Sequence, residues 1–274
     1  MENTAVAAVN SFCGSGQADL VEDYAGPVVR AEMDRVIGVA PDLGAEIAAA
    51  MAAASRAVDA SVAGAEAERV NAALGAAITA RRHAPGADVI SALAGHPDAY
   101  TGAEILAVVA LLYARAGAIA DLIALVLWKT AIDAEFALLT VTEAIDDVLA
   151  TDPPIANILT WPSPPQLMGG TWLPENEPVV VSLAAAGTDP AITPADPEDR
   201  RGSRSHLGWG IGPRACPAQD LARLIATVAL DQILDALPDI RLARAPQWRA
   251  SWQQRTLTHL PVTFSSAAPI APLR

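Results

Sequence analysis

The stretch His206–Arg223 reads HLGWGIGPRACPAQDLAR. Gly208, Gly210 and Gly212 alternate with larger residues and lead into Pro213, Arg214 and Cys216. Glycines at this density let a backbone turn tightly and approach another group closely. Past the cysteine the pattern changes. Leu221, Leu224, Ile225 and Val228 fall at i, i+3, i+4 and i+7, which predicts one face of a helix starting just after Cys216. A thiol just ahead of a helix N-terminus meets peptide N–H groups and positive potential, both of which favour its thiolate. A lone cysteine is more often an ordinary buried thiol, and it is the whole ordered string around Cys216 that argues otherwise.

The composition around this loop narrows the class. The 274 residues carry 18 basic and 31 acidic side chains, a formal net charge of -13. That balance argues against nucleic acid or an anionic membrane as a partner. Half the residues are apolar (52%) but only 4% are aromatic, so alanine carries much of the count and helices are favoured over an all-β sandwich. Cys13 and Cys216 form no CxxC pair and no zinc spacing, which suits a reducing compartment. The N-terminus shows no secretory signal, and Arg115 and Asp121 interrupt the most apolar segment, Ile105–Trp128. The reading is a soluble, cytoplasmic protein. His83, His96 and His259 show no metal-ligand spacing and read as surface or loop residues.

The order of elements follows from periodicity and punctuation. Residues 1–17 read as a frayed lead-in to a single domain spanning 1–274. Helical patterning dominates from Ala18 to Ala72, with Pro27 and Pro41 near helix starts, and another helix covers 65–82. Thr101-Gly-Ala-Glu104 is a capping box that opens a long apolar helix to about Trp128, expected to be central and buried. Helices through 134–139 and 142–149 follow, and Pro153-Pro154 stops the pattern. Beyond Asn157 one β run, PVVVSLAA, stands in a Pro/Gly-rich stretch, and the segment from Thr188 to Ser205 reads as coil. IRLA and LPVTF, within 240–264, read as short antiparallel strands. The fold class is mainly α with a small β part.

The cysteine stretch resembles the haem-binding loop of the cytochrome P450 family, bacterial type. Trp209, Gly210, Gly212, Arg214, Cys216 and Ala218 stand in the order aromatic, Gly-x-Gly-x-(His/Arg)-x-Cys, small residue. His206-Leu207 and Leu221-Ala222-Arg223 extend the similarity on both sides. Tryptophan replaces the usual phenylalanine, and Ala218 the usual glycine. The resemblance runs from about residue 18 to 264, through ADLVEDYAGPVVRAEMDRVIGVAP, PGADVISALAG and WLPENEPVVVSLAAAGTDP. It implies an incomplete P450-like fold, lacking the N-terminal sheet and first helices with which typical members cover one side of the haem.

What the resemblance implies at the site is a haem b iron with Cys216 as its thiolate ligand, and Arg214 and His206 at the propionates. Three family positions are altered. The acid–alcohol pair of the central helix is replaced: the matching residues are Ala114, Arg115, Ala116, Gly117 and Ala118, or, two residues later, a register ending in Ile119-Ala120. Arg115 would crowd the oxygen side, and Asp121, one turn on, reads as a solvated or locally paired acid. The family's Glu-x-x-Arg reads Asp147-Val-Leu-Ala150, leaving either an Asp147–Arg200 pair or a plain surface aspartate. Thr160 stands where a strand otherwise offers an arginine to the haem.

Two classes of function follow. One is a haem-thiolate oxidoreductase of the monooxygenase family acting on a small organic substrate. Its electrons would come from a separate donor such as a ferredoxin, and its oxygen activation is altered or peroxide-driven. Arg200, Arg201, Arg204, Arg214 and Arg223, clustered near the loop, would either meet that donor or serve haem and fold. The alternative is a catalytically degenerate partner or activator of another biosynthetic enzyme, or a gene fragment.

Overall fold

The computed structural model describes residues 1–271 apart from Ile192 and Ala195. The elements run α1 (Glu2–Phe12), β1 (Gln17–Asp19), a π-helical turn (Leu20–Ala25), α2 (Gly26–Ile37), α3 (Pro41–Arg56), α4 (Ala60–His83), α5 (Val89–Ala94) and α6 (Gly102–Ile132). A 3-10 turn (Phe136–Leu138), α7 (Val141–Thr151), β2 (Asn157–Thr160), β3 (Gln166–Met168), β4 (Thr171–Leu173), β5 (Val179–Ser182), α8 (Leu183–Gly187) and α9 (Pro197–Arg200) follow. The chain then makes a 3-10 turn (Gly212–Arg214) and ends in α10 (Gln219–Ala236), β6 (Arg241–Leu242), β7 (Gln247–Trp248), β8 (Leu257–His259) and β9 (Pro261–Thr263). The chain divides into two compact units, Met1 with Gly26–Gly117 and Glu2–Ala25 with Ala118–Arg274, and the division falls inside α6.

The first unit is helical. α3 packs along α4 with Ile47 and Ala50 on one side and Ala73, Leu74, Ala77 and Ile78 on the other. Alanine at these positions lets two backbones approach closely. Asp59 and Asp88 cap α4 and α5 by accepting the N–H bonds of Ser61 and Ser91. The Tyr113 hydroxyl donates to the buried Asp34 carboxylate, and Arg81 donates to the Gly38 carbonyl at 2.8 Å.

The second unit holds the β structure and α10. The frayed lead-in is corrected here. Residues 2–12 form α1, which packs on α10 through Ala5, Val6, Val9 and Phe12, an apolar stripe at helical spacing. Phe12 also meets Tyr24 and Phe264 edge-on. β1, β9 and β6 make an antiparallel three-stranded sheet, with Ala18 and Leu242 both opposite Val262. β2 pairs with β5, β3 with β4, and β7 with β8, all antiparallel.

Several sequence expectations change. The buried face of α10 is Ala222, Ile225, Ala226, Ala229, Leu230 and Ile233, while Leu224 is 50% exposed. The helix expected at 134–139 is only the three-residue turn Phe136–Leu138, because Asp133 draws the amides of Glu135 and Phe136 into a side-chain cap. The coil before the cysteine loop contains α9, and the β3–β4 hairpin was not anticipated. α6 has the length and composition of a membrane-crossing helix. Yet Leu122–Leu127 are all buried in protein, while Val108 and Leu111, nearer its start, are exposed. It is therefore not buried along its whole length.

Candidate functional site: the cysteine loop and the Asp146 cluster

The loop is organised by its own backbone. The Cys216 N–H donates to the Trp209 carbonyl at 2.7 Å, and the Gly210 N–H donates to Leu207 at 2.8 Å. Gly210 sits at φ +71°, and a Cβ there would fall 2.8 Å from the Arg214 carbonyl oxygen. Only glycine combines that left-handed backbone with that close approach. Gly212, at φ +60°, opens the 3-10 turn, and a Cβ on it would meet nothing within 4 Å. Cys216 is half-buried and lies three residues ahead of α10. Its carbonyl accepts the Gln219 N–H at 3.4 Å, joining loop to helix. Ile211 is 72% exposed on the same loop, and the buried Trp209 indole N–H has no hydrogen-bond partner among the described residues.

Behind the loop lies a buried charge cluster that sequence reasoning missed. Asp146, on α7, is 3% exposed. It accepts from Arg223 on α10, faces His206 Nε2 at 3.3 Å, and has Arg204 at 3.6 Å. Burial alone would raise its pKa. The hydrogen bonds from His206 and Arg223, with the Arg223 charge, outweigh that and hold the carboxyl below its ordinary value. His206 Nδ1 accepts the Gly208 N–H at 3.3 Å, so both ring nitrogens face protein partners. Gly208 is packed so tightly on α7 that a Cβ would come within 3.0 Å of Leu149. The cluster thus ties the loop, α7 and α10 together.

Asp147, the next residue, does not pair with Arg200, nor is it a plain surface aspartate. Its Oδ2 lies 3.1 Å from Lys129 Nζ, and Lys129 also donates to Thr151 Oγ1 at 2.6 Å and meets Asp152 at 3.4 Å. Arg200 lines a neighbouring cavity of about 270 Å³ with Lys129, Asp147 and Thr151, and its buried Nε meets no hydrogen-bond partner among the described residues. Arg201 pairs with Glu143 at 3.6 Å. Of the five clustered arginines, Arg201, Arg204 and Arg223 therefore meet carboxylates of this chain, whereas Arg214 is exposed. Thr160 is half-buried at the end of β2, opposite Val179.

On α6, Ala114, Arg115 and Gly117 are exposed and Ala118 is half-buried, and a Cβ on Gly117 would meet nothing within 4 Å. Asp121 is not solvated. Burial pushes its pKa up to about 7, against the lowering effects of a hydrogen bond from Thr256 at 3.0 Å and the Arg249 charge.

The fold is that of solved cytochromes P450. No family model matches the chain. It is 30% identical over 127 residues to a cytochrome P450 of Bacillus subtilis, covering 44% of this chain and 31% of that protein. It is 37% identical over 99 residues to biflaviolin synthase CYP158A1 of Streptomyces coelicolor, covering 35% and 24%. Among solved structures it is similar to P450BioI in complex with an acyl carrier protein ligated to hexadec-9Z-enoic acid, with TM-score 0.87 and 23% identity over 96% of this chain and 73% of that one. Mycobacterium smegmatis CYP164A2 with econazole bound gives 0.81 and 26%, over 96% and 72%. The chain is thus similar in sequence to bacterial cytochromes P450 over less than half its length, and similar to them in fold over 96% of it. It spans about a quarter to a third of the length of the curated relatives it matches.

Proposed function

We propose that this chain holds haem b through Cys216 and serves a haem-thiolate oxidoreductase of the monooxygenase type that acts on a small organic substrate. The observation that carries this reading is the Cys216 turn itself: a half-buried thiol whose amide is pinned to Trp209, between positive-φ glycines and α10. The residues present fit the group. Cysteine is the soft anionic donor that haem-thiolate iron takes. Gly212 has open space beside its backbone, and the exposed apolar Ile211 lies on the same loop. The exposed Arg214 is a cation available to a propionate, while His206 is engaged by Asp146 and Gly208.

When bound, the haem supplies redox chemistry at iron. The chain's own part is to ligate and to shield the sulfur with Trp209. At Gly117 and Ala118 it offers no proton donor. Proton delivery from the usual acid–alcohol pair is therefore absent. A peroxide-driven or redox-neutral reaction suits these residues better than reduction of oxygen by a separate donor such as a ferredoxin. The test is a carbon monoxide difference spectrum of the protein supplied with haem. Wild type should give the red-shifted band of thiolate-ligated ferrous iron, and Cys216→Ala should lose it. The same spectrum from both would remove Cys216 as the ligand.

A further inference from the structure

Asp19 ends β1, Glu22 lies in the π-helical turn that follows, and His259 ends β8. Their ligand atoms all lie within 4.8 Å of one another. Asp19 Oδ1 accepts the N–H bonds of Val21 at 3.1 Å and Leu260 at 3.0 Å. The carboxylate is thereby fixed, with Oδ2 facing His259 Nδ1 at 2.8 Å. Glu22 Oε1 lies 3.8 Å from the same nitrogen.

These spacings suit a shared ion. Ligand bonds of about 2.1 Å at angles of about 90–130° put ligand atoms roughly 3.0–3.8 Å apart, so shifts of up to about an ångström would seat all three. The charge points the same way and is a separate observation. Asp23 is a third carboxylate here, accepting the Asp19 N–H at 2.8 Å. Among the described residues no lysine or arginine is ion-paired with Asp19, Glu22 or Asp23. An imidazole with two carboxylates suits zinc, cobalt or nickel, whereas magnesium and calcium prefer an all-oxygen shell. π-Helical turns are rare and often mark functional sites.

We propose that Asp19, Glu22 and His259 form a divalent transition-metal site, with zinc the physiological class of ion and water at the remaining positions. The ion takes the place of the proton between His259 Nδ1 and Asp19 Oδ2. It ties the π-helical turn to β8, across 240 residues of sequence. Closing so long a loop is where a clip has most effect on the unfolded chain.

The test is calorimetric titration of the untagged, metal-stripped full chain with zinc chloride, alongside thermal unfolding with and without zinc. Wild type should bind one zinc saturably and melt higher in its presence. His259→Ala and Asp19→Asn should weaken binding by about tenfold or more and abolish the zinc-dependent rise. Glu22→Gln is a near-isosteric change at a side chain 64% exposed, and its unchanged melting temperature without zinc would show that weaker binding is not misfolding. Cys216→Ala should bind zinc unchanged, separating this site from the cysteine loop. No saturable binding in wild type, or binding as tight as wild type in both Glu22→Gln and His259→Ala, overturns the proposal.

Discussion

Lys129 Nζ lies 3.1 Å from Asp147 Oδ2, and each side chain is mostly shielded, at 16% and 26% exposure. Lys129 is the chain's single lysine. It brings to α7, from α6, the positive charge that Ala150 cannot supply from within α7. Lys129→Met should therefore cost about 1–3 kcal/mol, between the worth of exposed and buried pairs. Urea unfolding is the measurement. The loss should shrink when Asp147→Asn is already present, because the coupling is then gone. An undiminished loss in that background would mean that Lys129 acts through its aliphatic stem alone.

Asp121 gives stability a particular pH dependence. Its folded pKa of about 7 lies above the 3.8 of the free side chain. Between those values the folded state keeps a proton that the unfolded state has lost. Its contribution is thus full below about pH 4 and is lost as pH rises through about 7. Asp121→Asn cannot ionise, so its melting temperature relative to wild type should rise across that window and level off above it. A difference that does not change with pH would place the ionisation elsewhere.

Asp146 titrates with the opposite sign. Its folded pKa is held below the ordinary value, so its contribution is present at neutral pH and lost as pH falls through the folded pKa. Asp146→Asn should cost about 2–4 kcal/mol, since it leaves Arg223 and His206 facing a neutral partner in a shielded place. The consequence should reach the loop as well. Cys216 should react faster with a thiol reagent in Asp146→Asn than in wild type, because His206 and Gly208 lose their anchor on α7. Unchanged reactivity would show that the backbone bonds of the loop suffice.

The α6 residues make a prediction about chemistry, resting on the proposed haem-thiolate function. General acid assistance contributes about 10²–10⁴-fold, and Gly117 and Ala118 donate nothing. Product formed per electron from a ferredoxin pair should be low, while peroxide, which arrives already reduced and protonated, should be used better. Gly117→Glu with Ala118→Thr, and Arg115→Gly to clear space, should raise the first yield much more than the second. Tight coupling in the wild type would show that another acid, with Asp121 the nearest candidate, delivers the proton.

Much of this was legible in the chain because its causes are local. The Thr101–Glu104 capping box closes within one turn, with the Glu104 N–H on Thr101 Oγ1 and the Thr101 N–H on the Glu104 carboxylate. The cysteine loop is legible for the same reason, since its bonds join residues 207 to 219. The α1 helix was misread because its polar residues were weighed above the spacing of Val6, Val9 and Phe12. Leu224 satisfied the helical period and is nevertheless exposed, because periodicity names a stripe but not its edges.

The sequence by itself determined most of the longer helices and the turn at Cys216, through backbone propensities, caps and glycines that act over a few residues. Tertiary structure alone decided the partners of the charged side chains. Asp146 finds His206 and Arg223 across 60 and 77 residues, Lys129 finds Asp147 across 18, and Asp19 finds His259 across 240. A charge has no periodicity that names its partner. Which arginine or histidine it meets is settled only when apolar faces pack and bring distant segments within the few ångströms over which a buried ion pair outweighs its desolvation.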